Sequence, residues 1–155
     1  MKRGDRNRSC PVNVAVETLC DSWTLLIVRD IVFYGKRTFG EFMGSPERIT
    51  TSVLADRLVK LEAEGVLIRE KDTSDGRREN YGLSDKGLSL IPLLVELAGF
   101  GVLHGSETRR DPLWLDAVAQ DREGLCNLIR ETVQRGGSVW CGEDSVARQL
   151  GAGQR

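Results

Sequence analysis

Residues 50–87 read TTSVLADRLVKLEAEGVLIREKDTSDGRRENYGLSDKG, and the order of signals inside this stretch decides the fold. Thr50 offers a hydroxyl to the free amides of a helix start. Leu54, Leu58 and Leu61 then recur at four and three residues, the spacing of one apolar helix face. Gly65 ends that helix. VLIREK (66–71) alternates like a strand, Ser74-Asp75-Gly76 supplies turn chemistry, and ENYGLS (79–84) returns as a second strand. Ser84 opens another helix. Arg77 and Arg78 therefore fall at the tip of a hairpin, which asks for an anion nearby.

Working outward, Val12, Ala15, Val16, Leu19 and Cys20 after Pro11 mark a first amphipathic helix. SWTLLIVRDIVFYG (22–35) forms a second, with Ser22 as the expected N-cap, Gly35 as terminator, and Trp23, Leu26, Ile27, Ile31 and Phe33 as core anchors. FGEFMG (39–44) gives one or two helical turns. SPERI (45–49) is a turn, because Pro46 disfavours helix at the residue before it. From Ser84 to Gly105 the pattern is one long helix in which Pro92, lacking a backbone donor, predicts a kink or a change of packing partner. The order helix, helix, short helix, helix, strand, strand, long helix is a winged helix-turn-helix: α+β, mostly α, with a two-stranded wing.

The chain has 155 residues, 40% apolar and 29% charged, as expected of one globular domain. Apolar runs such as TLLIVRDIVF are broken by Arg29 and Asp30, so no run is expected to cross a bilayer. No apolar leader follows the basic start, and a cytoplasmic location is expected. The net charge is only −1, from 22 Lys+Arg and 23 Asp+Glu, so the placement of individual cations must carry any case for a polyanion partner. Cys10, Cys20, Cys126 and Cys141 form no C-x-x-C pair and His104 is the sole histidine, so neither a metal site nor a cofactor is expected. One histidine, no G-x-S-x-G and no phosphate-cradling loop also argue against an enzyme. GFGVLHG (99–105) follows a helix rather than a strand, which removes it as a dinucleotide loop.

Cys10-Pro11, SWTLLIVRDI, RTFGEF, ITTSVLADRLVKLEAEGVLIRE and ENYGLSDKG, in this order over residues 9–105, together resemble the HxlR-type bacterial transcriptional regulators, relatives of the MarR winged-helix group. The resemblance implies a homodimer on pseudo-palindromic double-stranded DNA, built through the first helix and the long helix after the wing. Two departures stand out. Cys20-Asp21-Ser22 replaces the Gly-Gly-Lys common before the tryptophan, and Thr51 replaces a frequent proline.

The candidate DNA-binding residues follow from the helix and wing. With the leucines of the 51–64 helix inward, Thr50, Thr51, Ser52, Asp56, Arg57 and Lys60 face solvent or a ligand, and the free amides at the helix start attract phosphate. Arg77 and Arg78 would position the wing on phosphates or a minor groove. Lys36, Arg37 and the arm residues Lys2, Arg3, Arg6 and Arg8 are phosphate candidates of second rank. Cys10, beside Arg8 and at a helix start, is a candidate redox-sensing thiol, as the resemblance implies for parts of the family.

Three segments are expected: a basic arm (1–9), the winged helix-turn-helix domain (10–105) and a C-terminal helical extension (106–155) with a frayed end. The extension begins at Asp111-Pro112, pauses at DREG (121–124) and resumes through LCNLIRETVQRGG; it would enlarge the dimer interface or line a ligand pocket. LIPLLVELAGFGVL (90–103) is apolar on nearly every face and predicts contact with a partner subunit. The expected function is a homodimeric, sequence-specific DNA-binding regulator responsive to a small molecule or oxidant. The alternative is a winged-helix protein-interaction adapter, since the fold alone does not guarantee DNA binding.

Overall fold

The computed structural model describes residues 10–73, 75–105 and 112–152. The arm cations Lys2, Arg3, Arg6 and Arg8, together with Ser74, Asp111 and residues 153–155, lie outside the described residues. The chain order is α1 (Pro11–Leu19), α2 (Ser22–Tyr34), α3 (Phe39–Met43), α4 (Thr51–Ala63), β1 (Leu67–Lys71), β2 (Glu79–Leu83), α5 (Asp85–Leu88), α6 (Ile91–His104), α7 (Pro112–Gln120), α8 (Arg122–Gln134) and α9 (Val146–Ala152). The winged helix-turn-helix order is present as expected.

Local chemistry accounts for most boundaries. The Thr50 hydroxyl accepts from Val53 N at 3.4 Å, and Thr38 and Glu41 form a reciprocal capping box around α3. Gly35 ends α2 with φ 70°, a conformation that favours glycine. The cap of α2 is Asp21 rather than Ser22: its carboxylate accepts from Trp23 N (3.1 Å) and Thr24 N (3.0 Å). A carboxylate one residue earlier reaches both amides, which leaves Ser22 as the first helical residue.

Three further expectations are revised. The long helix after the wing is two helices, α5 and α6, separated at Ser89-Leu90. Pro92 sits in the first turn of α6, where its missing donor costs no intrahelical bond, so it starts a helix instead of kinking one. The pause expected at DREG is present: α7 ends at Gln120, Asp121 caps α8 by accepting from Gly124 N at 2.8 Å, and the helix resumes already at Arg122. Taken as one 20-residue stretch, Asp85–His104 is long and apolar enough to cross a membrane by length and composition, so the expectation that no run qualifies fails there. Ile91, Leu94 and Val95 of that stretch are buried in the protein core.

β1 and β2 pair antiparallel from Leu67 opposite Leu83 to Lys71 opposite Glu79. Asp72 N donates to Arg78 O (2.9 Å) and Arg78 N to Asp75 O (2.8 Å), closing the turn. Tyr81 N donates to Arg37 O at 2.7 Å and its ring meets Phe42 edge-on at 6.2 Å, so the wing is tied to the segment between α2 and α3. Gly87 lets α5 press on the start of β1: a Cβ there would lie 2.3 Å from Val66 O.

One core joins the winged helix and the extension. Val28, Ile31, Leu54, Leu61 and Ile91 share it with Trp114, Leu125, Ile129, Val139 and Val146. Each such side chain stabilises by about 1.5–3 kcal/mol on burial. Residues 138–141 lie along the end of α2, with Val139 N bonded to Val32 O and Trp140 N to Phe33 O, both at 2.9 Å. α9 is an element the sequence reading did not anticipate.

Candidate nucleic-acid interface

α4 buries Leu54, Leu58 and Leu61 at 0%, 2% and 0% exposure. The same amphipathic geometry leaves Thr51, Ser52 and Asp56 exposed at its N-terminal half, beside the exposed cap Thr50. The Thr50 hydroxyl takes the Val53 amide, and the positive end of the helix dipole at this start favours a phosphate. Arg77 and Arg78 are exposed at the wing tip, and their guanidinium groups bond to no described residue; the backbone amide of Arg77 is held by Asp75 Oδ1 at 3.1 Å.

Arg57 and Lys60 are half-buried on α4. Arg57 Nε is buried without a hydrogen bond and lies 3.2 Å from Asp21 Oδ1. Burial pushes the Asp21 carboxyl up. Bonds from the Thr24 hydroxyl and amide, with the charges of Arg57 and Lys60, outweigh it and hold Asp21 below the ordinary carboxylate range. One carboxylate thus caps α2 and pairs with the flank of α4, fixing the angle between them.

Lys36 and Arg37, expected as phosphate ligands of second rank, are turned inward. Lys36 Nζ bonds to Asp30 Oδ2 (2.9 Å) and Ser45 Oγ (2.6 Å). Arg37 donates to the carbonyls of Ile31 (3.3 Å) and Gly137 (3.4 Å), and burial pushes its pKa down. Either would surrender these bonds to reach a phosphate.

The sequence reading missed what holds the turn before α4. Asp30 is 2% exposed and accepts from Arg29 Nε (3.0 Å), from Arg29 Nη2 and Lys36 Nζ, and from the Ser45 hydroxyl. Arg29 continues to Glu47, with Nη2 to Oε2 at 3.1 Å, and its bonds hold the Glu47 carboxyl below the ordinary range. Burial opposes the charge on Arg29, but its bonds to Glu47 and Asp30 prevail and raise its pKa. Ser45 and Glu47 flank Pro46, and Arg48 follows with φ 58°, a left-handed conformation that costs a non-glycine residue about 1–3 kcal/mol. This buried network offsets that cost and sets where Thr50 begins α4. The signal was present in the sequence: adjacent charges inside IVRDIV must find partners if the helix is buried.

Cys10 is half-buried at the N-cap position of α1, with its thiol free. The apolar face of α1 is real but uncovered: Leu19 is buried, while Val12 and Val16 are 68% and 45% exposed. α6 likewise exposes Leu93, Leu97, Phe100 and Leu103. Among the described residues, no group of three or more His, Cys, Asp or Glu is placed to hold a metal ion.

Residues 18–109 match the HxlR-like helix-turn-helix family. An HTH-type transcriptional regulator of Mycobacterium tuberculosis is 34% identical over 142 residues, spanning 90% of this chain and 82% of that protein, so the likeness runs into the extension. The oxidised form of the redox regulator HypR superimposes with a TM-score of 0.55 at 26% identity, covering 66% of this chain and 99% of HypR. A MarR-family protein of Porphyromonas gingivalis W83 does so with a TM-score of 0.57 at 26% identity, covering 66% and 99% of the two chains. By helix order, wing and sequence likeness, the chain belongs to the HxlR-like helix-turn-helix family of transcriptional regulators, which is not a family of enzymes.

Proposed function

We propose that this regulator acts in the cytoplasm as a homodimer and binds a pseudo-palindromic operator in a sequence-specific way. The observation that carries the reading is α4, whose leucine face is fully buried while Thr51, Ser52 and Asp56 stand clear of the protein. Placed in a major groove, these side chains meet base edges, and Arg57 and Lys60 stay near the backbone. Arg77 and Arg78 take flanking phosphates, which positions without specifying. The uncovered apolar faces of α1 and α6 support pairing of two copies. Cys10, beside one of those faces, is the proposed oxidant-responsive thiol, a reading supported by the likeness to a redox regulator.

Genomic fragments captured by the protein should share two inverted half-sites about 10 bp apart, or a multiple of that. Against such a fragment, Arg77→Ala with Arg78→Ala should lower the salt slope of binding by about 1.8, at about 0.9 per phosphate contact. Equal affinity for captured and bulk DNA would leave the adapter reading in its place.

A further inference from the structure

A cavity of about 760 Å³ lies between α2, α6, α7 and the 138–141 segment. Its volume falls in the range of small-molecule sites. Phe33, Tyr34, Trp114 and Trp140 line it, and three of them touch one another: Phe33 meets Trp114 edge-on at 5.7 Å and stacks with Trp140 at 6.2 Å, and the two tryptophans are 5.4 Å apart. Backbone bonds from Val139 and Trp140 to α2 hold this wall in place. The opposite side is the aliphatic face of α6, including Leu97 and Gly101. Two of the four aromatics come from beyond residue 109, where the family match ends.

Among the described residues the charged one in the lining is Arg29, whose guanidinium is paired with Asp30 and Glu47 and lies 5.6 Å from the Tyr34 ring centre. Among the described lining residues an anionic ligand would find no uncompensated cation and a cationic one no carboxylate. Flat π-faces with no free charge select a neutral, planar aromatic molecule. We infer that this pocket, roofed by the C-terminal extension, binds a neutral planar aromatic effector within a single subunit.

The pocket also touches the reading unit. Arg29 contributes to its wall and at the same time holds Glu47, three residues before the cap of α4. Occupancy therefore acts on the turn that places α4, and this consequence rests on the DNA-binding role proposed above.

The test uses the full chain and the neutral fluorophore N-phenyl-1-naphthylamine. Binding should raise probe fluorescence and quench tryptophan emission, since Trp114 and Trp140 form the wall. A Cβ at Gly101 meets open space, so Gly101→Leu should fold and fill the pocket, weakening probe binding at least tenfold. Val102→Trp does the same from a second lining position and serves if the first variant melts early. Phe100→Ser, on the exposed side of α6, should bind within twofold of wild type. No binding to wild type, wild-type affinity in both filled variants, or loss in Phe100→Ser would overturn the site; the last would place the probe between subunits. Operator affinity with and without probe is measured separately and should change at least threefold in wild type and not in Gly101→Leu. A protein that binds the probe but no DNA would sink the regulatory role and leave the pocket standing.

Discussion

Replacing Asp30 by asparagine removes one charge from the interior while keeping the side chain's size. Its carboxylate, 2% exposed, accepts from Arg29, Lys36 and Ser45. An amide offers one oxygen, so whichever way it turns, an NH₂ group faces donors from Lys36 and Ser45 or from Arg29. Removing one member of a buried pair typically costs about 3–5 kcal/mol, because the other charge stays behind uncompensated. Two features favour the lower end. Arg29 keeps Glu47, and the Lys36 side chain is 20% exposed and can swing toward water. The expected loss is about 3 kcal/mol, a large part of a domain stability of about 5–15 kcal/mol. Urea denaturation should show the midpoint falling by roughly 1–3 M at an unchanged slope. Adding Lys36→Met removes the stranded cation, so the double variant should be more stable than the sum of the singles by at least about 1 kcal/mol. A loss under about 1 kcal/mol for Asp30→Asn, or simple additivity with Lys36→Met, would refute the network as the brace of the turn.

Gly87→Ala sets two principles against each other. Helix propensity favours alanine by about 1 kcal/mol, but its Cβ would lie 2.3 Å from Val66 O, a backbone atom that cannot swing away, so thermal unfolding should show a net loss of about 1–3 kcal/mol. Asp21→Asn keeps a good cap and deletes only the charge. Because the folded Asp21 pKa lies below its unfolded value of about 3.9, its charge stabilises above that pH and the benefit disappears as pH falls through the folded value. The stability gap between wild type and Asp21→Asn, at most about 1 kcal/mol at pH 7 for a partly exposed pair, should therefore shrink as pH falls below about 4, and a gap independent of pH would contradict this assignment. Cys10→Ser should leave operator binding intact under reducing conditions and abolish any change produced by mild oxidant; an oxidant response that survives the substitution moves the sensing thiol to Cys20 or Cys141, both exposed.

Sequence alone determined the winged helix-turn-helix order. Its signals are local: Thr50 and Ser84 as caps, the leucine spacing of α4, and the turn chemistry between β1 and β2 each act within a few residues. The exposed positions of α4 and the wing followed from the same periodicity. What only the tertiary structure decided involves partners far apart in the chain. Arg29 and Asp30 are adjacent in sequence, but Lys36, Ser45 and Glu47 become their partners only when the chain folds back at Gly35 and again before α4. Lys36 and Arg37 look like free cations until that fold turns them inward, and Asp21 joins α2 to α4 through Arg57 only across a helix interface. The extension shows the same limit. Its helices are periodic, but the burial of Trp114 and Val139 against α2 depends on contacts more than eighty residues away, and no local pattern encodes which face a distant helix will cover.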